Sequence, residues 1–327
     1  MMSEAANSRP AFDPHDPRNT PTDLDAFQTD LVLSACPAGS EIIEAPPFRK
    51  GYRRYPLRVR VRPPDGGEQV LALKADPGPG KLEKEARLLP ALAQLGLPVA
   101  EVLVGPGVHP GYREPVPMVV LSVVPGRPLP FVRATLDEMD LTCRLLTEAV
   151  QRLHGLTDRV REDPVAVHIP EQTLLSALQE VIEGGGPWSG QQVFMEAVDR
   201  LVAALPGIRE PLVFSNGDYN TFNFLCVEDR LTGFLDFTQA RFQDPYIAFA
   251  HYVIWSIDEV GWGSGSKAGL VERYLYSQNA SRSDFAPRLA IRCLSTLQSE
   301  IAVEGEECAL YREHVLTLLR DSLDWLR

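Results

Sequence analysis

The strictest pattern in this chain is Leu57-Arg-Val-Arg-Val-Arg62, where apolar and charged residues alternate one for one. A period of two belongs to a strand with one buried face. Leu57, Val59 and Val61 are therefore expected inward, and Arg58, Arg60 and Arg62 outward on a solvated face. Pro63-Pro-Asp-Gly-Gly67 reads as a turn, and Gln69-Val-Leu-Ala-Leu-Lys-Ala75 as the returning partner strand. Asp23 to Leu33 has the apolar spacing of a short helix, and Lys81 to Leu95 that of a longer one closed by Gly96. Pro90 should kink or interrupt the second helix, because its ring removes a hydrogen bond and clashes one turn back. Apolar runs at Val99 to Val104 and Val116 to Val124 predict two further strands, the second closing at Pro125-Gly126.

From Leu136 onward the pattern is mainly helical. Leu136 to Leu156 and Gln191 to Leu205 are long helical candidates, and Gly184-Gly-Gly-Pro-Trp-Ser-Gly190 is expected to be a mobile loop between helical segments. Strand-like runs interrupt between Leu212 and Phe237, and helices resume from Pro245. No internal repeat is visible. The fold class is α+β, with a small N-terminal antiparallel sheet plus one helix followed by a larger, mainly helical part.

Composition narrows the setting. A chain of 327 residues can build two lobes with a sizeable core. No apolar run reaches the roughly 18 residues of a membrane-spanning helix, and residues 1–22 read as a polar, disordered tail without a signal-peptide core. Cys36, Cys143, Cys226, Cys293 and Cys308 are scattered without metal-ligand spacing, which suits reduced thiols and a cytoplasmic location. The formal net charge of −12 argues against a nucleic-acid partner. It is compatible with a cationic substrate, although acidity by itself speaks to solubility and steering.

The densest chemistry lies in Leu212-Val-Phe-Ser-Asn-Gly-Asp-Tyr-Asn-Thr-Phe-Asn-Phe-Leu225 and Gly233-Phe-Leu-Asp-Phe-Thr238. Two short strands flanking a polar loop would bring Asp218, Asn223 and Asp236 together at one end of a small sheet. Two carboxylates and an amide carbonyl are hard oxygen ligands, the set that suits Mg²⁺ carried on a polyphosphate. A spare carboxylate beside such a metal can orient or deprotonate a hydroxyl. Lys74 sits on the strand face of Val70 and Ala72, opposite Leu71 and Leu73. An ammonium there needs a partner or a solvated cleft.

The spacing resembles the aminoglycoside phosphotransferase and choline kinase family, relatives of protein kinases. Their catalytic loop reads His-Gly-Asp, four residues, then Asn, with a second aspartate about a dozen residues later. Gln243-Asp-Pro-Tyr-Ile-Ala-Phe-Ala250 resembles a further family segment. The resemblance implies a bilobal protein-kinase-like fold, with a nucleotide-binding lobe at 23–123, a hinge near Leu121 to Gly126, and a catalytic and substrate-binding lobe at 124–327. It makes Asp218 the catalytic aspartate and Asn223 and Asp236 the metal ligands. It assigns Lys74 to the nucleotide phosphates, oriented by a helix glutamate, for which Glu85 is the best candidate and Glu83 the close competitor. The phosphate-covering loop would lie near Phe48-Arg-Lys-Gly-Tyr-Arg-Arg-Tyr55, where Gly51 is the one glycine.

Several positions depart from the family pattern. Asn216 replaces the usual His, Phe222 a frequent Gly, Thr238 a common Glu, Gln243 the leading Gly and Ala248 the second Asp. These changes are expected to weaken the shell around the site. Asp244-Pro245 should cap and begin a helix, and His154 should pack or cap rather than act as a base. The leading expectation is a small-molecule kinase using ATP or GTP with Mg²⁺. Its acceptor would be a hydroxyl-bearing small molecule such as an aminoglycoside, a macrolide or another antibiotic, attracted by Asp258, Glu259, Glu304, Glu306 and Glu307. The alternative is a nucleotide-binding pseudokinase serving as scaffold or sensor.

Overall fold

The computed structural model describes residues 24–48, 56–110, 115–131, 134–255, 269–299 and 306–326. The N-terminal tail, residues 49–55 of the expected phosphate loop, and Asp258, Glu259 and Glu304 lie outside these residues. The chain divides into two compact units. One holds residues up to Pro125 together with Thr232–Thr238; the other holds Gly126–Leu231 and everything from Gln239 onward.

The first unit is built on an antiparallel five-stranded sheet. It contains β1 (Glu41–Glu44), β2 (Leu57–Arg62), β3 (Gln69–Ala75), β4 (Val102–His109) and β5 (Val116–Ser122), in the spatial order β1-β2-β3-β5-β4. The alternation in β2 works as expected: Leu57, Val59 and Val61 are fully buried and join Leu71, Leu73, Met118 and Val120 in one core. Arg60 lies outward and is bridged to Glu44 and Glu68. Helix α1 (Ala26–Leu33) starts with a capping box between Asp25 and Gln28. Strand β4 begins three residues later than the apolar run suggested, with register shifts on either side of Val104 that accommodate Gly105-Pro106. A Cβ on Gly107 would stand 3.1 Å from Leu31 Cδ1, so this glycine lets α1 lie close against β4.

Helix α2 (Lys81–Gln94) runs through Pro90 without interruption. Pro90 is exposed, so the carbonyl one turn back that loses its donor can turn to water instead of standing unpaired in the core. Leu82, Glu85, Leu88, Leu89 and Leu92 form the buried stripe of this helix.

The second unit is mainly helical. Its long α3 (Leu136–His154) opens with a Thr135/Glu138 capping box; α4 (Thr157–Glu162), α5 (Leu174–Glu183) and α6 (Gln192–Ala204) follow. Short strands precede, separate and follow these helices. They are β6 (Arg127–Pro128), β7 (Glu171–Gln172), β8 (Val213–Ser215), β9 (Phe224–Val227), β10 (Arg230–Phe234), which carries the chain back to the first unit, and β11 (Arg241–Gln243). The two strands flanking the polar loop do not pair with each other: β8 pairs with β11, and β9 with β6. Strands of three and four residues carry too little local information to set a partner, so long-range packing decides it.

Beyond these strands lie α7 (Ala250–Ile254), α8 (Leu270–Ser277), α9 (Arg282–Ser299) and α10 (Glu306–Asp324). Leu178, Phe194, Leu201, Leu294, Leu297 and Leu319 fill the core of α5, α6, α9 and α10. The glycine segment at 184–190, expected to be mobile, is tied to α9. Gln298 Nε2 donates to Ser189 Oγ at 2.7 Å, and its Oε1 accepts from Trp188 N at 3.3 Å.

Asp244 does not open an α-helix. Its Oδ1 accepts from Tyr246 N at 2.9 Å, a 3₁₀ turn follows at Ile247–Phe249, and α7 begins only at Ala250. The Oδ2 atom instead takes two bonds from the Arg288 guanidinium, at 2.6 and 3.0 Å, with both residues almost completely buried. Arg288 also donates to the carbonyls of Asp284 and Arg209, so this buried pair is well satisfied.

Arg288→Met removes one partner and strands a buried carboxylate, which should cost about 3–5 kcal/mol in urea unfolding; a loss under about 1 kcal/mol would contradict the pairing. A second prediction concerns acid. His154 closes α3 with Nε2 2.9 Å from Tyr219 Oη, and burial lowers its pKa to about 4. The unfolded chain takes up a proton near pH 6.5 that the folded one refuses. This contribution to stability is complete above pH 6.5 and is lost as pH falls toward about 4. In His154→Gln the slope of unfolding free energy against pH in that window should shrink by about one proton, and an unchanged slope would contradict it.

Candidate active site

Lys74 leaves β3 on the face opposite Leu71 and Leu73, and its ammonium is held by carboxylates from two elements. Nζ lies 2.8 Å from both Glu85 oxygens and 2.9 Å from Asp236 Oδ1. Glu85 belongs to the apolar stripe of α2 and is only 2% exposed. Its Oε1 also accepts from Phe237 N at 2.9 Å, so one carboxylate fixes both the lysine and the backbone beside Asp236. Burial works against the Lys74 charge, but Asp236 and Glu85 outweigh it and hold the ammonium above its ordinary range. Burial likewise works to raise Asp236, yet Lys74 and the Thr238 hydroxyl hold it down at about 2. Asp236 is therefore ionised at neutral pH.

Between the two glutamates left open by spacing, Glu85 makes the contact with Lys74. Glu83 stands in the first turn of α2, outside the buried stripe, and its Oε2 has no hydrogen-bond partner. The helical spacing of Leu82, Leu89 and Leu92 was the signal that separates them, since position 85 falls on that stripe and position 83 does not.

The polar loop of the second unit is held from several sides. Gly217 has φ +85°, and a Cβ there would lie 2.1 Å from Gln239 O, so no other residue fits. Its N–H donates to Ser215 Oγ at 2.9 Å, and Gln243 Nε2 donates to the same oxygen at 2.9 Å. Tyr252 Oη donates to Tyr219 O at 2.6 Å. Asp218 Oδ1 accepts from Asn220 N at 3.0 Å, and Oδ2 from Asn223 Nδ2 at 3.1 Å. Asn223 Nδ2 also reaches Asp218 O at 3.0 Å. Asp218 and Asn223 are thus brought together within this unit, and Lys74, Glu85 and Asp236 within the other.

Ser215, Tyr219 and Tyr252 are supporting residues that the sequence did not single out. Gln243 and Thr238, which looked like losses from the family pattern, both engage the site. Gln243 fastens the loop, and Thr238 Oγ1 donates to Asp236 Oδ1 at 2.6 Å.

The donor chemistry fits a hard divalent cation. Asn223 commits Nδ2 to Asp218 and keeps Oδ1 as an oxygen donor. Asp236 offers an ionised carboxylate whose side chain is 34% exposed. Amide and carboxylate oxygens of this kind are suited to Mg²⁺.

Solved structures share this architecture. An assigned aminoglycoside phosphotransferase from Ralstonia eutropha JMP134 superposes over 93% of this chain and 98% of its own, with a TM-score of 0.61 and 14% identity. A thermostable mutant of aminoglycoside phosphotransferase APH(4)-Ia, in a ternary complex with AMP-PNP and hygromycin B, covers 86% of this chain and 94% of its own at TM-score 0.60 and 14% identity. Amicoumacin kinase hAmiN, in complex with AMP-PNP, Ca²⁺ and Ami, covers 81% of this chain and 85% of its own at TM-score 0.56 and 15% identity. Identities this low speak to fold, and the fold is protein-kinase-like. No curated protein matches the chain by sequence. The model of the phosphotransferase enzyme family does match, over residues 45–286, and the chain with its lysine–glutamate–aspartate cluster and its Gly217-Asp218 loop belongs to that family.

Proposed function

We propose that this protein is a kinase that transfers the γ-phosphate of ATP or GTP to a hydroxyl of a small molecule. The observation that carries the reading is the ammonium of Lys74, buried between Glu85 and Asp236. A cation fixed on a sheet beside a partly exposed, ionised carboxylate is suited to a polyphosphate and its metal. Lys74 binds nucleotide phosphates, and Glu85 orients it. Asn223 and Asp236 would be the residues to hold Mg²⁺, which would supply charge neutralisation at the phosphate oxygens. Asp218 orients the acceptor hydroxyl and takes its proton as the new O–P bond forms and the bond to the β-phosphate oxygen breaks, leaving ADP or GDP.

Acceptor identity follows from weaker arguments. Two of the neighbours are complexes with hygromycin B and with Ami, and the net charge of −12 favours cationic molecules. Aminoglycosides, macrolides and related antibiotics are therefore the first class to test. The engagement of Thr238 and Gln243 in the site favours catalysis over a pseudokinase scaffold, because a scaffold has no need of a braced metal ligand and catalytic loop.

The test is Mg²⁺-dependent phosphate transfer from ATP or GTP to a pool of aminoglycosides, macrolides, choline-like amines and sugars, read by mass spectrometry. Asp218→Asn should lower kcat by about 10²–10⁴-fold while nucleotide affinity changes little. Nucleotide binding by the wild type without product in any pool would favour the scaffold instead.

A further inference from the structure

The inference concerns Thr238 and rests on the kinase reading above. Asp236 adopts φ +55°, a left-handed backbone conformation that costs energy for any residue with a Cβ, although aspartate tolerates it better than most. Such a conformation persists only when its surroundings over-determine it. Phe237 N is bonded to Glu85 on the main-chain side. On the side-chain side, Asp236 Oδ1 receives both Lys74 Nζ at 2.9 Å and Thr238 Oγ1 at 2.6 Å. Both bonds fall on the same oxygen, and Oδ2 takes no part in them.

The two donors are not equivalent. Lys74 also serves the nucleotide phosphates in the proposed reaction, so its hold on Asp236 is shared with the ligand. Thr238 is 4% exposed, fully committed to this carboxylate, and two residues away on the same backbone. We infer that Thr238 is a positioning residue that fixes the Asp236 carboxylate by Oδ1 and thereby presents Oδ2 to the nucleotide-bound metal ion. The chain thus uses a neutral hydroxyl donor to aim this carboxylate. Hydrogen-bond partners of metal ligands set ligand orientation, and their loss typically weakens metal binding about 10–100-fold.

The experiment uses the full chain and titrates ATP at fixed Mg²⁺ concentrations, and then without Mg²⁺, by calorimetry, with thermal unfolding alongside. Thr238→Val keeps the branched shape and removes the hydroxyl; its apparent Mg²⁺ affinity in the ATP complex should fall at least about 10-fold. Its ATP affinity without metal should stay near wild type, while its Tm should fall modestly because a hydrogen bond to a charged group is lost. Thr238→Ser restores the donor and should bring Mg²⁺ affinity back to within a few-fold of wild type. If the valine variant folds poorly, Thr238→Ala against Thr238→Ser makes the same comparison. Unchanged Mg²⁺ affinity in the valine variant, or equal losses with and without metal, would overturn the positioning role while leaving the kinase reading intact. A wild-type protein whose ATP affinity ignores Mg²⁺ would overturn both.

Discussion

One ammonium held between two carboxylates organises the polar cluster of the first unit. Taking the charge of Lys74 out of water alone would cost several kcal/mol, and the fold meets that cost from two directions. Glu85 comes from the buried stripe of α2, and Asp236 from the end of the segment that follows β10. The position of α2 on the sheet, the turn of the backbone at Phe237 and the unusual conformation of Asp236 all answer to this arrangement.

The polar loop at Gly217-Asp218 follows the same logic by other means. Its shape depends on a glycine where no side chain fits, on a serine oxygen shared by two donors, and on a tyrosine fastened to the carbonyl of Tyr219. Farther along the chain, the buried Arg288–Asp244 pair fixes the segment that leads into α7. Such pairs add little net stability compared with apolar packing, but removing one partner is costly, so they set geometry more than they add strength.

Strand β2 was legible because it follows a period of two, and β3, which carries Lys74, because an unmistakable turn joins it to β2. The long α3 was equally plain, whereas the capping boxes at Asp25 and Thr135 emerge only in the structure. What sequence could not give was pairing and occupancy. Strands β8 and β9 were visible, but their partners β11 and β6 were not. Asp244 looked like a helix cap because Asp-Pro usually is one; its partner Arg288 lies 44 positions away and carries no local signal. Thr238 and Gln243 read as missing family residues, and only three-dimensional contact shows them bonded to Asp236 and Ser215. The continuous α2 through Pro90 has a similar cause, since exposure at a proline is a tertiary property.

The central claim is that Lys74 and Glu85 act as one nucleotide-binding unit. A double-mutant cycle on ATP affinity tests it, using Lys74→Met, Glu85→Gln and the double variant, each checked for folding. The account predicts that either single change weakens ATP binding and that the double is no worse than Lys74→Met alone, a coupling of about 1–3 kcal/mol. Losses that simply add, or single variants that bind ATP as the wild type does, would contradict it.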